Sequence, residues 1–300
     1  MVYKYTCITI YARNEMSDFL KKHTRQPKIF IDLPSNGQFY DNTVLQDMQT
    51  TQIPVYGMTA MDEIMLKTPD ALFTGEATVR VIQSCIPTIL NPWRLIGYDM
   101  DYVLIAIRMA SYSDALPLET TCANCETKNT NEIKLSYLLD SFSTYKSHES
   151  FMLNELTVNL APIDYKTHTG FQQEQYTLER QVAQIQVGGK EQNLEKEKML
   201  QELLNQMTNI QLRLSVAYID NITDGTDKEA DSKKILEFIS NNDAKFYKDL
   251  QVKINDISQS WQLPTFDVDC QECDNKYKAK INLDYSSFFG NSSFNSRNLT

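Results

Sequence analysis

The sequence predicts an α+β fold: a mainly helical body with short strands, two paired β-hairpins closed into one clasp, and a protruding helical hairpin. Three observations predict it. Two Cys-x-x-Cys turns, Cys122-Ala-Asn-Cys125 and Cys270-Gln-Glu-Cys273, hold four of the six cysteines, and apolar residues alternate after each turn. Alternation is the period of a half-buried strand. Between the turns, Leu200, Leu203, Met207, Ile210, Leu214 and Ala217 step by three and four residues, the seam of a helix packed along another helix. On the N-terminal side, short strand patterns bounded by Pro and Gly are interleaved with capped helical patterns.

Composition sets the limits. A chain of 300 residues has room for one large domain or two modest ones, and its net charge is −10. No apolar run reaches the roughly 18 residues of a membrane span. The first residues lack the order of an export signal, so the thiols are expected to stay reduced. The acidity opposes binding to a phosphate backbone, which needs a basic face.

In chain order, residues 1–28 read as an N-terminal arm with a strand over 3–11, and residues 29–117 as an α/β body. Ile29, Ile31 and Leu33 alternate into the turn Pro34-Ser-Asn-Gly37, whose Asn-Gly suits positive φ, with Phe39 and Tyr40 as aromatic anchors. Ser35 as a nucleophile lacks a G-x-S-x-G elbow, so a structural turn is the better reading. Ile53-Pro-Val-Tyr-Gly57 is a short edge strand by its Pro. Thr59 caps a helix whose Asp62 and Glu63 face the positive end of its dipole. Residues 74–78 open a second helix through Val79, Ile82 and Ile86, closed by Pro87. Residues 99–108 form a buried segment read as a helix, ended by the Ser/Asp/Pro run 111–117.

The paired hairpins then occupy 118–137 and 266–285. Aligned on the first Cys without gaps, Lys128 falls on Lys276, Ile133 on Ile281, Leu135 on Leu283 and Tyr137 on Tyr285. One Cys-x-x-Cys turn presents two thiolates to one side of an ion, and two such turns complete a tetrahedral set. Cys122, Cys125, Cys270 and Cys273 are therefore expected to hold one structural Zn²⁺ per chain, making two zinc knuckles and a zinc-ribbon-like clasp. The alternatives are a disulfide pair, a redox Cys-x-x-Cys and unrelated core cysteines; a redox site needs only one pair, usually at the start of a helix. Cys7 and Cys85 read as buried core residues. Four thiolates leave no open position for water, which points to a structural rather than catalytic metal.

Residues 138–265 read as a helical insertion carrying a hairpin arm over 170–219. A strand at Leu156, Val158 and Leu160 precedes it. Phe171, Leu178, Val182 and Ile185 mark the first arm helix, Gly188-Gly189 the turn, and the heptad-like seam the second helix. The arm is either a partner-binding surface or a hairpin that packs on its own body. Residues 220–225 lack the frame of a calcium loop and read as a plain turn. Asp231 and residues 241–243 cap two more helices, with Leu236 and Ile239, then Phe246, Leu250, Ile254 and Ile257, facing inward. His23, His148 and His168 read as surface or turn residues, and neither catalytic nor cofactor-binding residues are expected. Residues 286–300 form a C-terminal tail.

One ordered set of motifs carries a resemblance. It comprises Leu33-Pro-Ser-Asn-Gly-Gln-Phe-Tyr40, then Val55-Tyr-Gly57-Met-Thr59 with Asp62-Glu63, then Leu66, Pro69, Leu72, Gly75 and Cys85-Ile86. The cysteine turns follow, and Leu283-Asp-Tyr-Ser-Ser-Phe288-Phe289-Gly290 closes it. Together these resemble the baseplate hub and hub-assembly protein family of T4-like contractile-tailed phages, over most of 29–140 and 220–290. The resemblance implies a non-enzymatic structural or assembly role, in the virion tail baseplate or in the host cytoplasm during assembly. It also implies partners among other hub and tail-tube proteins, with a homo-oligomer left open. The runner-up is a zinc-knuckle nucleic-acid-binding accessory protein, which the knuckles permit and the charge opposes. An enzyme using the zinc or an acid pair is the third reading. The metal is expected to tie the base of 138–265 and so fix how the helical arm leaves the body.

Overall fold

Residues 19, 23–46, 52–68, 73–142, 150–187, 194–259, 263, 265–280 and 294–295 are described by a computed structural model. The strand expected at 3–11, Cys7, His148, the Gly188-Gly189 turn and the closing stretch 283–290 lie outside the described residues.

Strand β1 (Pro27–Ile31) pairs antiparallel with β2 (Ile53–Tyr56), a two-stranded sheet in which Pro54 is tolerated. Between them Asn36 and Gly37 take the positive φ angles that the Asn-Gly pair suggested, 52° and 72°. Helix α1 (Ala60–Met65) opens on a reciprocal capping box: Thr59 Oγ1 accepts from the Asp62 N–H, and the Asp62 carboxylate accepts from the Thr59 N–H at 2.7 Å. Helix α2 (Glu76–Cys85) follows, then a 3₁₀ turn at Pro92–Arg94. Helix α3 (Gly97–Ser111) runs through the main core, with Met100 and residues 103–107 wholly buried. A helix surrounded by core has no polar face, which is why its periodicity is weak in the sequence.

Strand β3 (Ala115–Thr121) starts earlier than expected and contains Pro117, which lies opposite Glu132 in β4 (Lys128–Lys134). The alternation after the first cysteine pair does not continue as a strand to Tyr137. Helix α4 (Leu135–Ser141) begins instead, with Leu135, Leu138 and Leu139 buried and Tyr137 exposed. Spacings of three and four put those leucines on one helical face. The Asp114 carboxylate caps the first turn from a distance in sequence, accepting from the Ser136 N–H at 2.6 Å and its hydroxyl at 2.7 Å.

The region between the cysteine pairs is not purely helical. Strands β5 (Ser150–Leu153) and β6 (Leu156–Leu160) precede helices α5 (Tyr165–Val187) and α6 (Leu194–Ala217). Strands β7 (Ile219–Thr223) and β8 (Lys228–Glu229) follow, and β5-β6-β7-β8 form one antiparallel sheet. The plain turn expected at 220–225 is thus corrected: most of it is an inner strand, and the turn begins at Asp224, whose Oδ1 accepts the N–H groups of Thr226 and Asp227. Asp, Asn and Thr disguise this strand, but Ile219 and Ile222 point into a second core and the buried Asn221 accepts from Asn159 Nδ2 at 2.8 Å. Helices α7 (Ser232–Ser240) and α8 (Ala244–Gln259) cover that core with Ile235, Ile239, Phe246 and Leu250.

The α5 and α6 helices make a third apolar cluster of their own. Leu178, Leu203 and Ile210 are buried in it, with Phe171, Val182, Ile185 and Met207 packed alongside. The middle of the seam read from the sequence, Leu203, Met207 and Ile210, is therefore occupied within the hairpin. Strand β9 (Thr265–Asp269) pairs antiparallel with β10 (Lys276–Lys280), and β11 (Phe294–Asn295) adds parallel to β3.

Candidate metal centre

The hairpins β3–β4 and β9–β10 are built the same way. In the first, the Cys122 N–H donates to Thr127 O and the Glu126 N–H donates back to Cys122 O, both at 2.9 Å. In the second, the Cys270 N–H donates to Asn275 O at 2.9 Å and the Asp274 N–H to Cys270 O at 3.0 Å. Glu126 and Asp274, equivalent in the gapless alignment, both take left-handed φ, 58° and 55°. The strand registers also agree: Thr121 faces Lys128 as Asp269 faces Lys276, and Pro117 faces Glu132 as Thr265 faces Lys280. Each hairpin thus encodes its own turn locally and delivers two sulfurs to one side.

The fold brings the two turns together. All four Sγ atoms, from Cys122, Cys125, Cys270 and Cys273, lie within 4.8 Å of one another. Cys122 Sγ is 3.7 Å from Cys273 Sγ, and Cys125 Sγ is 3.5 Å from Cys270 Sγ. A sulfur tetrahedron around a metal with bonds of about 2.3 Å has edges of about 3.8 Å, whereas a disulfide is about 2.05 Å long. The cluster fits the first and not the second. Its electrostatics ask for a cation. The Cys270 thiol is pushed down to about 6, chiefly by the Glu272 backbone N–H. Cys273 is raised to about 11: the Asn124 amide and the Asn275 N–H lower it, but the neighbouring Cys125 thiol, desolvation and the Cys270 thiol together outweigh them. Sulfurs this close cannot all carry charge unless a positive ion sits among them.

Sequence reasoning found the four sulfurs and missed what lies between the hairpins. Three carboxamides cross the gap: Asn124 Nδ2 to Cys273 Sγ at 3.6 Å, Asn129 Nδ2 to Cys270 Sγ at 3.6 Å, and Asn275 Nδ2 to Cys122 Sγ at 3.8 Å. Asn129 also takes the Gln271 N–H on its Oδ1 at 3.0 Å, and the Thr120 and Tyr277 hydroxyls meet at 2.6 Å. In the gapless alignment Asn129 and Tyr277 occupy equivalent places, one of several positions at which the two segments differ.

The remaining singled-out residues serve the fold. Ser35 is buried: its N–H donates to Asp99 Oδ1 at 3.0 Å, its hydroxyl donates to Asp99 Oδ2, and Tyr40 Oη donates to the same oxygen at 2.6 Å. This explains the Leu-Pro-Ser-Asn-Gly turn with its following tyrosine as one buried knot around Asp99. Burial raises the Asp99 carboxyl, against the lowering effect of those hydrogen bonds. Asp62 likewise serves more than the helix start, accepting from Ser84 Oγ at 2.9 Å beside Arg25, whose guanidinium donates to Gly57 O at 2.8 Å. Cys85 is a core residue, and burial pushes its thiol up to about 12. His23 is exposed, but His168 is a correction: it lies half-buried on α5, and burial lowers its pKa.

The base of α5 has its own fastening, absent from the sequence reading. The Tyr165 N–H donates to Leu95 O at 2.8 Å, the Tyr165 ring stacks on Trp93 with centroids 5.5 Å apart, and Arg94 pairs with Asp164 at 3.3 Å.

These features define the class: an α+β protein in which a four-cysteine cluster joins the body to the far side of a region that carries a long helical hairpin. The chain belongs to the T4 bacteriophage base plate protein family, whose family model matches residues 27–290. It is accordingly a structural baseplate component of a phage tail, as the ordered motifs of residues 33–86 implied. Comparison with curated proteins finds no match, and comparison with solved structures finds none either. Among the described residues no helix is long and apolar enough to cross a membrane.

Proposed function

We propose that this chain is a non-enzymatic component of the baseplate hub or of its assembly, and that Cys122, Cys125, Cys270 and Cys273 hold one structural zinc ion. The observation that carries the metal reading is the convergence of four sulfurs from two distant hairpins at tetrahedral spacing. Four soft donors suit zinc, and a site filled by four thiolates offers no position for a reacting water. Residues 126–269 lie between the two turns, so the ion closes a long loop and opposes the entropy of its ends separating. The outgoing side of the arm is fastened at Tyr165 and the returning side at β9 by the metal. Two fastenings hold the α5–α6 hairpin at a fixed angle, the form in which a rigid arm meets neighbouring hub or tail-tube proteins with little ordering cost.

The test is purification with co-expressed hub and tail-tube proteins, with zinc measured on the isolated chain. About one zinc per chain, a stable complex, and loss of that complex in the Cys270→Ser variant are expected. Substoichiometric zinc with four freely reactive native thiols would remove the metal reading. A chain that stays alone with every tail protein, or binds duplex DNA with affinity falling steeply with salt, would remove the hub reading.

A further inference from the structure

The cluster raises a charge problem that the ligands do not solve. Four thiolates around a dication leave a net charge of about −2. The nearby lysines do not cover it: Lys128 is exposed and Lys276 pairs with Asp269 at 3.8 Å. What faces the sulfurs is neutral: backbone N–H groups of the turns, and the three carboxamides that cross between the hairpins. Groups outside the ligand set that donate to it orient the ligands and tune their basicity.

We propose that Asn124, Asn129 and Asn275 form a donor shell that positions the sulfurs and disperses their charge, with Asn129 as the residue that couples one hairpin to the other. The proposal rests on the zinc reading above. Asn129 is buried, and its Nδ2 lies within reach of Thr127 O in its own hairpin and of Cys270 Sγ and Tyr277 Oη in the other. Its Oδ1 holds the Gln271 N–H, inside the second Cys-x-x-Cys turn. Asn129 and Tyr277 hold equivalent places in hairpins of the same register, and their difference has a physical reason. Two tyrosines would supply no amide donor to sulfur, and two asparagines would leave Thr120 Oγ1 without the Tyr277 phenol. One of each fills the gap and satisfies both. The two-fold repeat thus makes the turns, and the unlike pair Asn129 and Tyr277 joins them into a single site.

The experiment uses the full chain loaded with Co²⁺ in place of zinc, with chelator competition for affinity and the thiolate-to-cobalt charge-transfer band as the second readout. Asn129→Asp, which replaces the N–H donors by an acceptor, is expected to lower affinity by roughly 10- to 100-fold. It should also move the band to lower energy, because a thiolate without its N–H partner holds its electrons less tightly. Asn124→Ala, on an exposed turn, should show the same shift with a smaller loss, and it carries the test if Asn129→Asp does not fold. Asn131→Ala, which removes a bond to Thr120 and none to sulfur, should leave the band in place. Wild-type affinity and an unmoved band in the Asn124 and Asn129 variants overturn the proposal, as does an equal shift in Asn131→Ala. A wild-type chain that takes no cobalt overturns the zinc reading as well.

Discussion

Substituting Gly75 by alanine isolates the fastening of the helical arm from that of the metal. Gly75 precedes α2 with φ of 79°, and a Cβ there would lie 2.9 Å from Tyr165 Oη and 3.2 Å from the Trp93 ring. Two costs follow. A left-handed alanine costs about 1–2 kcal/mol, and an extra carbon forced into a packed contact costs about 1–3 kcal/mol. Gly225 supplies the control: its φ is 99° and a Cβ there would meet nothing within 4 Å. Gly225→Ala should therefore report the backbone cost alone, and Gly75→Ala should exceed it by about 1–3 kcal/mol. Native-state hydrogen exchange reads each effect on its own core. The first turn of α5, at Tyr165, should open more readily in Gly75→Ala and stay as protected as wild type in Gly225→Ala, with metal content unchanged in both. Equal effects of the two substitutions, or an unaltered α5, would refute the argument that Trp93, Tyr165 and Gly75 form the base of the arm.

Three further outcomes are expected. Burial raises the Asp99 carboxyl above its ordinary value of 3.8, so the folded chain takes up this proton more readily than the unfolded one. Its contribution is largest below 3.8 and is lost as pH rises through the raised value, so the stability of wild type over Asp99→Asn should grow as pH falls from neutral toward 3.8. Denaturant titrations giving a constant difference would contradict this. Ile210→Ala should cost about 2–5 kcal/mol of protection within α5 and α6 while α3 keeps its own, since Ile210 belongs to the separate cluster of the arm; equal loss in α3 would show that the clusters open as one. After a chelator has stripped the metal, iodoacetamide followed by peptide mass spectrometry should label Cys125 before Cys122 and Cys270, because Cys125 is exposed and the other two are buried. Labelling of Cys122 first would contradict the packing of the hairpins.

By itself the sequence determined the features that a few neighbouring residues encode. Each cysteine turn is closed by hydrogen bonds no more than five residues apart, so a gapless repeat was enough to reveal two like hairpins and their four sulfurs. The Thr59 cap, the Asn36-Gly37 turn and the seam of α6 were legible for the same reason. Where local pattern and distant contact competed, the contact decided. Leu135 continued an alternating pattern and yet begins a helix, because the leucines after it reach the main core and Asp114 caps the turn. Residues 219–223 carry turn chemistry and yet form an inner strand, because Ile219 and Ile222 have a core to enter and Asn221 has Asn159 to meet. The partners of Asp99 and Tyr165 were not legible in the sequence, since each lies dozens of positions away. Only the tertiary structure sets one hairpin against the other, and Asn129 and Tyr277, unlike residues at equivalent places, meet where it does so.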